Sequence, residues 1–193
     1  MKSELPLIIT NRLLLRVAIP EDIPQIVQYF TINKAYLTPF SPTWVDGFFT
    51  AEYWQYQIEQ YHLELIHGCA LRLFIYHQIN RTKIIGVVNF SSFVRGAASF
   101  CNVGYSLAET AQSHGYMTEA LKASTEYIFQ ELNFHRIMAN YVPHNRRSGN
   151  VLKKMGFVIE GYARDYILIN GNWEDHILTS LTNYNWKSYL EKL

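Results

Sequence analysis

Three short apolar runs in the middle of the chain most constrain its fold. They cover residues 70–77, 84–93 and 99–108, and the turn-forming segments QINRTK and VRGAA separate them. Runs of this length that are rich in β-branched and aromatic residues, and that end at such turns, are typical of strands. The short connections therefore predict an antiparallel meander.

Helical patterns flank this meander on both sides. Before it, residues 9–17 suit a first strand, Pro20 opens a first helix, and Thr50 is suited to cap a second helix. After it, apolar residues recur at helical spacing from Met117 to Leu132. The chain is therefore predicted to be mixed α/β.

The last third of the chain repeats the alternation. Residues 135–142 suit a strand. Asn145 is suited to cap a short helix that ends near Gly156, and Asn170-Gly171 suits the tight turn of a long hairpin. No linker, repeat or low-complexity segment interrupts the pattern. We therefore expect residues 1–193 to form a single domain, as their length allows.

Composition limits the partners and the compartment. The chain has 17 basic and 16 acidic residues, so no whole-molecule field attracts it to nucleic acid or to an anionic membrane. Cys69 and Cys101 lie singly in apolar runs, which predicts buried thiols and a reducing compartment. The seven histidines show no ligand spacing, so no metal site is expected. Without an apparent signal peptide or membrane-spanning run, a cytoplasmic protein is expected.

The stretch QSHGYMTEA, which begins at Gln112, lies between a strand and a helix. Backbone N–H groups at such a helix start lack internal partners and carry partial positive charge, so they suit a diphosphate. Gly115 would allow a ligand to approach the backbone closely. The motif alone is equally compatible with an ordinary loop, and it matches neither the classical P-loop nor the dinucleotide fingerprint.

Further motifs resolve this ambiguity. Asn145, Ser148 and the pair Gly156-Phe157 match N-x-x-S/A-x-x-x-x-x-x-G-F, and Gln112 to Met117 match Q/R-x-x-G-x-G/A except at Met117. Together with R-L-L-L-R and G-Y-S-L, these motifs resemble the GCN5-related N-acetyltransferase (GNAT) superfamily over nearly the whole chain. Within it, the sequence is most similar to the RimJ/RimL branch of ribosomal-protein-alanine N-acetyltransferases.

The resemblance implies a central mixed sheet, mostly antiparallel, that is flanked by helices and splayed between its fourth and fifth strands. Acetyl-coenzyme A would lie in the gap as the co-substrate, and no metal would be needed. The residues that the resemblance assigns to the cofactor are Ser106 and Leu107, which would pair their backbone with the pantetheine arm, then Gln112, Ser113, His114, Gly115, Tyr116, Met117 and Thr118 of the loop, and Asn145.

The implied reaction is attack of a neutral amine on a thioester, which a general base assists. Residues 94–108 contain no carboxylate, although many family members take the base from this strand. The pattern F-x-x-E-G places Glu160 on a strand that would face the cleft, so Glu160 is the predicted base. An exposed strand glutamate is the alternative reading. Asp165, Asp175 and His144 are weaker candidates.

The leaving thiolate needs a proton. Many family members supply it from a tyrosine on the helix after Asn145, but Leu152 stands at that position. By resemblance to the RimL type, Ser148 is the predicted acid. A helix-capping role for Ser148 is equally compatible with the sequence.

The resemblance assigns one acceptor wall to the aromatic loop 37–49, and the hairpin near Trp173 could form the other. The same loop could equally be apolar filling beneath the surface. The run HRIMANYVPHN favours the N-terminus of a ribosomal protein as the acceptor. Its alanine or serine α-amine would attack the thioester directly in a ternary complex. Association with the ribosome is a further expectation. A small amine such as a polyamine, antibiotic or amino acid is the alternative acceptor. A non-catalytic, ribosome-associated protein that binds coenzyme A is the third hypothesis.

Overall fold

The computed structural model describes residues 5–187, whose strands form a single eight-stranded sheet in the order β1-β2-β3-β4-β5-β6-β8-β7. Every neighbouring pair is antiparallel except β5 and β6, which are parallel. The mixed, mostly antiparallel sheet is therefore confirmed. The strands are β1 (Leu7–Ile9), β2 (Leu13–Arg16), β3 (Leu71–His77), β4 (Ile84–Val94), β5 (Phe100–Leu107), β6 (Arg136–Tyr141), β7 (Val158–Ile169) and β8 (Asn172–Thr182).

Four α-helices connect these strands: α1 (Ile23–Leu37), α2 (Ala51–Ile66), α3 (Tyr116–Gln130) and α4 (Arg146–Lys154). The predicted cap of α2 is confirmed, because the N–H of Tyr53 donates to Thr50 Oγ1 at 3.3 Å. The cap of α4 is confirmed as well, since the N–H of Ser148 donates to Asn145 Oδ1 at 3.1 Å. A short 3-10 helix, Pro20–Asp22, precedes α1.

The first predicted strand is divided. Residues 9–17 contribute to both β1 and β2, which pair with each other as a hairpin, with Leu7 opposite Arg16. The turn between them is closed by the N–H of Thr10, which donates to the Leu13 carbonyl at 2.9 Å. The side chains of Asn11 and Arg12 at this turn are exposed.

The sheet is splayed between β5 and β6. Their parallel pairing comprises three residue pairs and ends at Asn102 opposite Met138, whereas β5 stays paired with β4 as far as Leu107. With β1 and β2 counted as the one predicted strand, β5 and β6 are the fourth and fifth strands. The splay is therefore confirmed, and it leaves one edge of β5 free beyond Asn102.

The two pairs of helices lie on opposite faces of the sheet. Successive strand residues point to opposite faces, and on β5 the side chain of Tyr105 reaches Ser148 of α4 while that of Ser106 reaches Tyr29 of α1. α1 packs against α2, and α3 packs against α4. Each face of β5 is thus covered by a different helical layer.

The core fills the space beneath both layers. Trp54 of α2 is buried and stacks on Phe30 of α1, with ring centroids 5.2 Å apart. Cys101 of β5 is buried as predicted, but the prediction of a buried thiol is wrong for Cys69, which is exposed. Cys69 follows the turn at Gly68 that ends α2, and this turn brings the residue to the surface before β3 begins.

The long hairpin at the end of the described chain is also confirmed. Asn170 and Gly171 both have positive φ, 45° and 83°, as a type I′ turn requires. Over residues 5–187, the helices are too short or too polar for any of them to cross a lipid bilayer.

Candidate functional site

A cavity of about 400 Å³ opens where β5 ends and the N-termini of α3 and α4 meet. It brings together most residues that the sequence assigned to the cofactor and to the thiolate. The lining comprises Tyr36, Leu37, Phe40, Tyr105, Ser106, Leu107, Gln112, Ser113, Gly115, Tyr116, Met117, Thr118, Asn145, Arg147, Ser148, Asn150, Val151 and Lys154. Of the predicted cofactor residues, only His114 is outside this set, and its ring stacks on Tyr116 with centroids 5.4 Å apart.

The loop before α3 has the geometry of an anion site. Ser113 and Gly115 both adopt positive φ, 64° and 76°, and Gly115 is the N-cap of α3. The first bond of the helix is donated by Glu119 to the Gly115 carbonyl. Within the described structure, the N–H groups from Gly115 to Thr118 donate to no protein acceptor. With the helix dipole, these four groups can receive phosphate oxygens.

Arg12, in the turn between β1 and β2, holds this loop in place. Its guanidinium donates from Nη1 to the His114 carbonyl at 2.9 Å and from Nε to Glu119 Oε2 at 2.7 Å. Thr10 adds a hydrogen bond to Glu119 Oε1 at 2.6 Å. Burial alone would raise the pKa of Glu119, but the bonds from Thr10 and Arg12 outweigh it and lower the pKa. A charged carboxylate therefore ties the start of α3 to the first hairpin.

Two cations of α4 border the cavity. Arg147 donates to Gln112 Oε1 across the cavity mouth, and its Nη1 lies 3.5 Å from the hydroxyl of Tyr36. Lys154, the last residue of α4, lines the same cavity. Arg146 does not line the cavity. These cations add positive charge beside the free N–H groups of α3.

The free edge of β5 faces the same cavity. The N–H of Ala108 donates to Ile85 of β4 at 2.8 Å, and backbone groups alternate sides along a strand. By that alternation, Tyr105 and Leu107 direct their N–H and C=O groups into the gap. Ser106 instead turns its carbonyl toward Gly86 of β4, where a Cβ would meet that oxygen at 2.6 Å. The expected pairing with an extended ligand is thus available at Leu107 but not at Ser106, whose side chain is what lines the cavity.

Ser148 occupies the first turn of α4 and faces Tyr105. Its Oγ lies 2.9 Å from the Tyr105 hydroxyl, which also donates to the Ser148 carbonyl at 3.2 Å. Asn145 caps the helix through its Oδ1, which leaves its amide N–H groups for a ligand. Burial raises the pKa of Tyr105 to about 12, so this phenol stays protonated.

Glu160 lies apart from the cavity. It forms an ion pair with Arg136, at the start of β6 where β5 and β6 are still paired, and accepts a hydrogen bond from Ser180 Oγ at 2.9 Å. Its side chain is 41% exposed, and the bonds from Arg136 and then Ser180 lower its pKa. A paired carboxylate with a lowered pKa is a weaker proton acceptor. The assignment of Glu160 as the base stays a prediction, and this geometry does not favour it.

The weaker base candidates also lie outside the cavity lining. Asp175 accepts from the Tyr162 hydroxyl at 2.6 Å and from the N–H of Asp165 at 2.9 Å, and these bonds lower its pKa. Asp165 is an exposed residue in an irregular part of β7 with positive φ. The ring of His144 lies 5.8 Å from that of Phe40 at the rim. None of the three lines the cavity, although His144 lies beside a residue that does.

The loop 37–49 has two parts. Its Trp44 and Phe48 pack on Phe30 in the core, which is the filling role, whereas Phe40 lines the cavity. The N–H of Asn170 donates to the Ser41 carbonyl at 3.0 Å, so the loop touches the tip of the β7–β8 hairpin. The two segments that the sequence suggested as walls of the acceptor site therefore touch each other.

Sequence reasoning missed Tyr105 and Tyr29. Tyr105 is part of the quoted G-Y-S-L motif, but its partner lies 43 positions away in the chain. Tyr29 holds Ser106 Oγ at 2.9 Å from 77 positions away. Both contacts could be recognised only once the position of β5 relative to α1 and α4 was known. Across residues 5–187, no three His, Cys, Asp or Glu side chains cluster in a way that could hold a metal ion.

Comparison with known proteins decides the family. The family described as "Acetyltransferase (GNAT) domain" matches residues 12–158. The chain belongs to this acetyltransferase family. Ribosomal protein uS5-alanine N-acetyltransferase of Escherichia coli (strain K12) is 39% identical over 180 residues, which are 92% of this chain and 91% of that protein. Probable N-acetyltransferase YjcK of Bacillus subtilis (strain 168) is 34% identical over 151 residues, covering 78% and 83%.

Solved structures agree with this assignment. The ribosomal-protein-S5-alanine acetyltransferase from Vibrio fischeri superposes with a TM-score of 0.90 at 37% identity, covering 95% of this chain and all 100% of that one. RimJ of Mycobacterium smegmatis, in complex with CoA-disulfide, gives a TM-score of 0.85 at 24% identity, covering 95% and 89%. The resemblance to the GNAT superfamily and its RimJ/RimL branch is therefore confirmed.

Proposed function

We propose that the protein is an acetyl-coenzyme A-dependent N-acetyltransferase whose acceptor is the N-terminal alanine of a ribosomal protein of the uS5 class. The observation that carries the proposal is a gap beside β5 that joins a free strand edge, unpaired N–H groups at α3 and the Ser148 hydroxyl. The acceptor class is taken from the relatives that are 39% and 37% identical over nearly the whole chain.

The cavity offers separate places for the parts of acetyl-coenzyme A, which supplies an acetyl group as a thioester. The N–H groups from Gly115 to Thr118, with Arg147, would hold the diphosphate. The free backbone groups of Tyr105 and Leu107 would accept the amide-bearing arm as an added strand. Ser148 would then lie near the sulfur, and Asn145 would bind the arm from α4.

The residues that line the cavity also indicate which kind of amine is the acceptor. Among the described residues that line the cavity there is no Asp, Glu or His. An α-amine with a pKa near 8 is neutral for about a tenth of the time at pH 7, whereas a lysine with a pKa near 10.4 is neutral for less than about a thousandth. A site without a carboxylate or imidazole base therefore favours a terminal α-amine, which would attack the thioester directly in a ternary complex.

The same lining disfavours a polyamine. A multiply charged amine is recognised by carboxylates, and the cavity border instead carries Arg147 and Lys154. We further propose that residues 1–193 act as one domain, because β1 to β8 share a single sheet. A cytoplasmic location, where ribosomal proteins are made, and contact with the ribosome belong to the same proposal.

A mass-spectrometric comparison of ribosomal-protein N-termini tests this function. Cells with and without the protein are compared, and the lost acetyl group is restored by the wild-type gene. We expect one or a few alanine or serine N-termini to lose acetylation. Unchanged acetylation at every ribosomal N-terminus would contradict the proposal and would favour a protein that binds coenzyme A without transferring its acetyl group.

A further inference from the structure

The contact between Tyr105 and Ser148 joins two walls of the cavity. Tyr105 projects from the free end of β5 and Ser148 from the first turn of α4, and both line the cavity. Their hydroxyl oxygens are 2.9 Å apart. Leu152, where many family members carry a tyrosine, is 1% exposed and packs in the core. The phenol that is hydrogen-bonded to Ser148 thus comes from the strand and not from the helix.

The hydroxyl of Tyr105 has a single proton and two acceptors within reach. If it donates to the Ser148 carbonyl at 3.2 Å, the Ser148 hydroxyl turns its own proton to Tyr105. If it donates to Ser148 Oγ instead, the Ser148 proton is free to point into the cavity. A negative charge in the cavity near Ser148 favours the second arrangement, because Ser148 then donates to the charge while its Oγ accepts from Tyr105.

We infer that Tyr105 is a positioning residue for acetyl transfer, which directs the Ser148 hydroxyl toward the sulfur of the departing coenzyme A. This inference rests on the proposed function. Tyr105 does not touch the acceptor or the thioester in this account. It acts through the hydrogen bond that it donates to Ser148 Oγ.

The acetyl-transfer step balances without deprotonation of Tyr105. The amine nitrogen bonds to the thioester carbonyl carbon, the C–S bond breaks, and its electron pair stays on sulfur. The amine loses one proton, which ends on sulfur or in solvent. Burial raises the pKa of Tyr105 to about 12, well above the usual thiol value of about 8.5, so the phenol keeps its proton. In this inference Ser148 keeps its proton as well, which differs from its predicted role as the acid. Ser148 stabilises the growing charge on sulfur as a hydrogen-bond donor.

A second hydroxyl pair provides a matched control. The hydroxyl of Tyr29 on α1 lies 2.9 Å from Ser106 Oγ, on the face of β5 opposite to Tyr105. Both pairs join a tyrosine hydroxyl to a serine hydroxyl at neighbouring positions of the same strand. Only the pair of Tyr105 includes Ser148, so loss of the Tyr29 hydroxyl should act independently of Ser148.

A double-mutant cycle on the single-turnover rate tests the inference. Ser148→Ala should slow transfer by about 10- to 100-fold, since it removes a donor to developing charge. Tyr105→Phe should slow it by about 3- to 10-fold with the KM for acetyl-coenzyme A unchanged. In the Ser148→Ala background, Tyr105→Phe should have no further effect, whereas Tyr29→Phe should cause the same change in both backgrounds.

Independent losses from Tyr105→Phe and Ser148→Ala would overturn the inference, as would a Tyr105→Phe variant with a raised KM and an unchanged rate. Failure of the wild-type protein to transfer acetyl at all would instead overturn the proposed function. Thermal melting verifies that each variant is folded. If Tyr105→Phe does not fold, Tyr105→Met replaces it in the cycle, because a flexible methionine fills irregular space and also lacks the hydroxyl.

Discussion

Two arginine–glutamate pairs tie distant parts of this chain together, and they differ in what they support. Arg12 and Glu119 join the first hairpin to the start of α3, and the same arginine also holds the His114 carbonyl. Arg136 and Glu160 join β6 to β7 where the parallel strands are still paired. The first pair therefore stabilises the candidate phosphate loop, whereas the second connects strands of the sheet outside the cavity.

The comparison shows that the role of a carboxylate depends on the element that carries it. Both glutamates have lowered pKa values and both are ionised at neutral pH. Glu119 lies four residues after the glycine that opens α3, so its position fixes the loop. Glu160 lies on a strand at the edge of the sheet, where its partners are a surface arginine and Ser180.

The largest effect is expected at the loop itself. Gly115→Val places a β-branched residue at a φ of 76°, which side chains rarely adopt, so the backbone of the loop is strained although the new Cβ would have room at 3.6 Å from Arg12 Nη2. Such strain costs on the order of 1–3 kcal/mol, and we expect acetyl-coenzyme A affinity to fall about tenfold or more in calorimetry. Gly96→Val is the control, since Gly96 has a φ of 75° with nothing within 4 Å. Equal affinity in both variants would mean that the phosphates bind elsewhere.

A smaller effect is expected from the brace. Glu119→Gln removes the charge that holds Arg12 and weakens its grip on the loop, so acetyl-coenzyme A affinity should fall by about two- to fivefold. Glu64→Gln is the control, because it changes the Arg72–Glu64 pair, in which N and O are 3.1 Å apart, outside the cavity lining. Isothermal titration compares the two. The brace has no role in binding if Glu119→Gln binds the cofactor as tightly as Glu64→Gln does.

The smallest effect is expected at the second pair. If Glu160 only connects strands of the sheet, Glu160→Gln should change turnover of an alanine-initiated peptide by less than about threefold at pH 6.5. A general base would contribute about 10²–10⁴-fold. Turnover is followed by release of the coenzyme A thiol in a variant whose melting curve shows that it is folded. A loss of a hundredfold would restore Glu160 as the base and would end the distinction between the two pairs.

The sequence predicted those features that depend on residues close together in the chain. The caps at Thr50 and Asn145 and the Asn170-Gly171 turn are all local, and the structure has them as expected. The family motifs then extended the local patterns to a splayed sheet. Local chemistry and resemblance together were sufficient for the fold.

Features that depend on contacts across the sheet were not predictable from the sequence. Glu160 was assigned from a short pattern, but its surroundings depend on Arg136, which is 24 positions away on another strand. Tyr105 was quoted only as part of a motif, because its contact with Ser148 requires the direction of β5 relative to α4. The exposure of Cys69 depends on a turn that its apolar neighbours conceal.

The central claim is that the gap beside β5 transfers acetyl to a terminal α-amine. The most direct measurement incubates the purified protein and acetyl-coenzyme A with two peptides, and mass spectrometry locates any added acetyl group. One peptide begins with a free alanine and lacks lysine, whereas the other has a blocked N-terminus and one lysine. We predict acetylation of the first peptide alone, with a rate that rises with pH and levels off above about pH 8, as the α-amine becomes neutral. Comparable acetylation of the lysine peptide, or of neither peptide while calorimetry shows bound acetyl-coenzyme A, would contradict the claim.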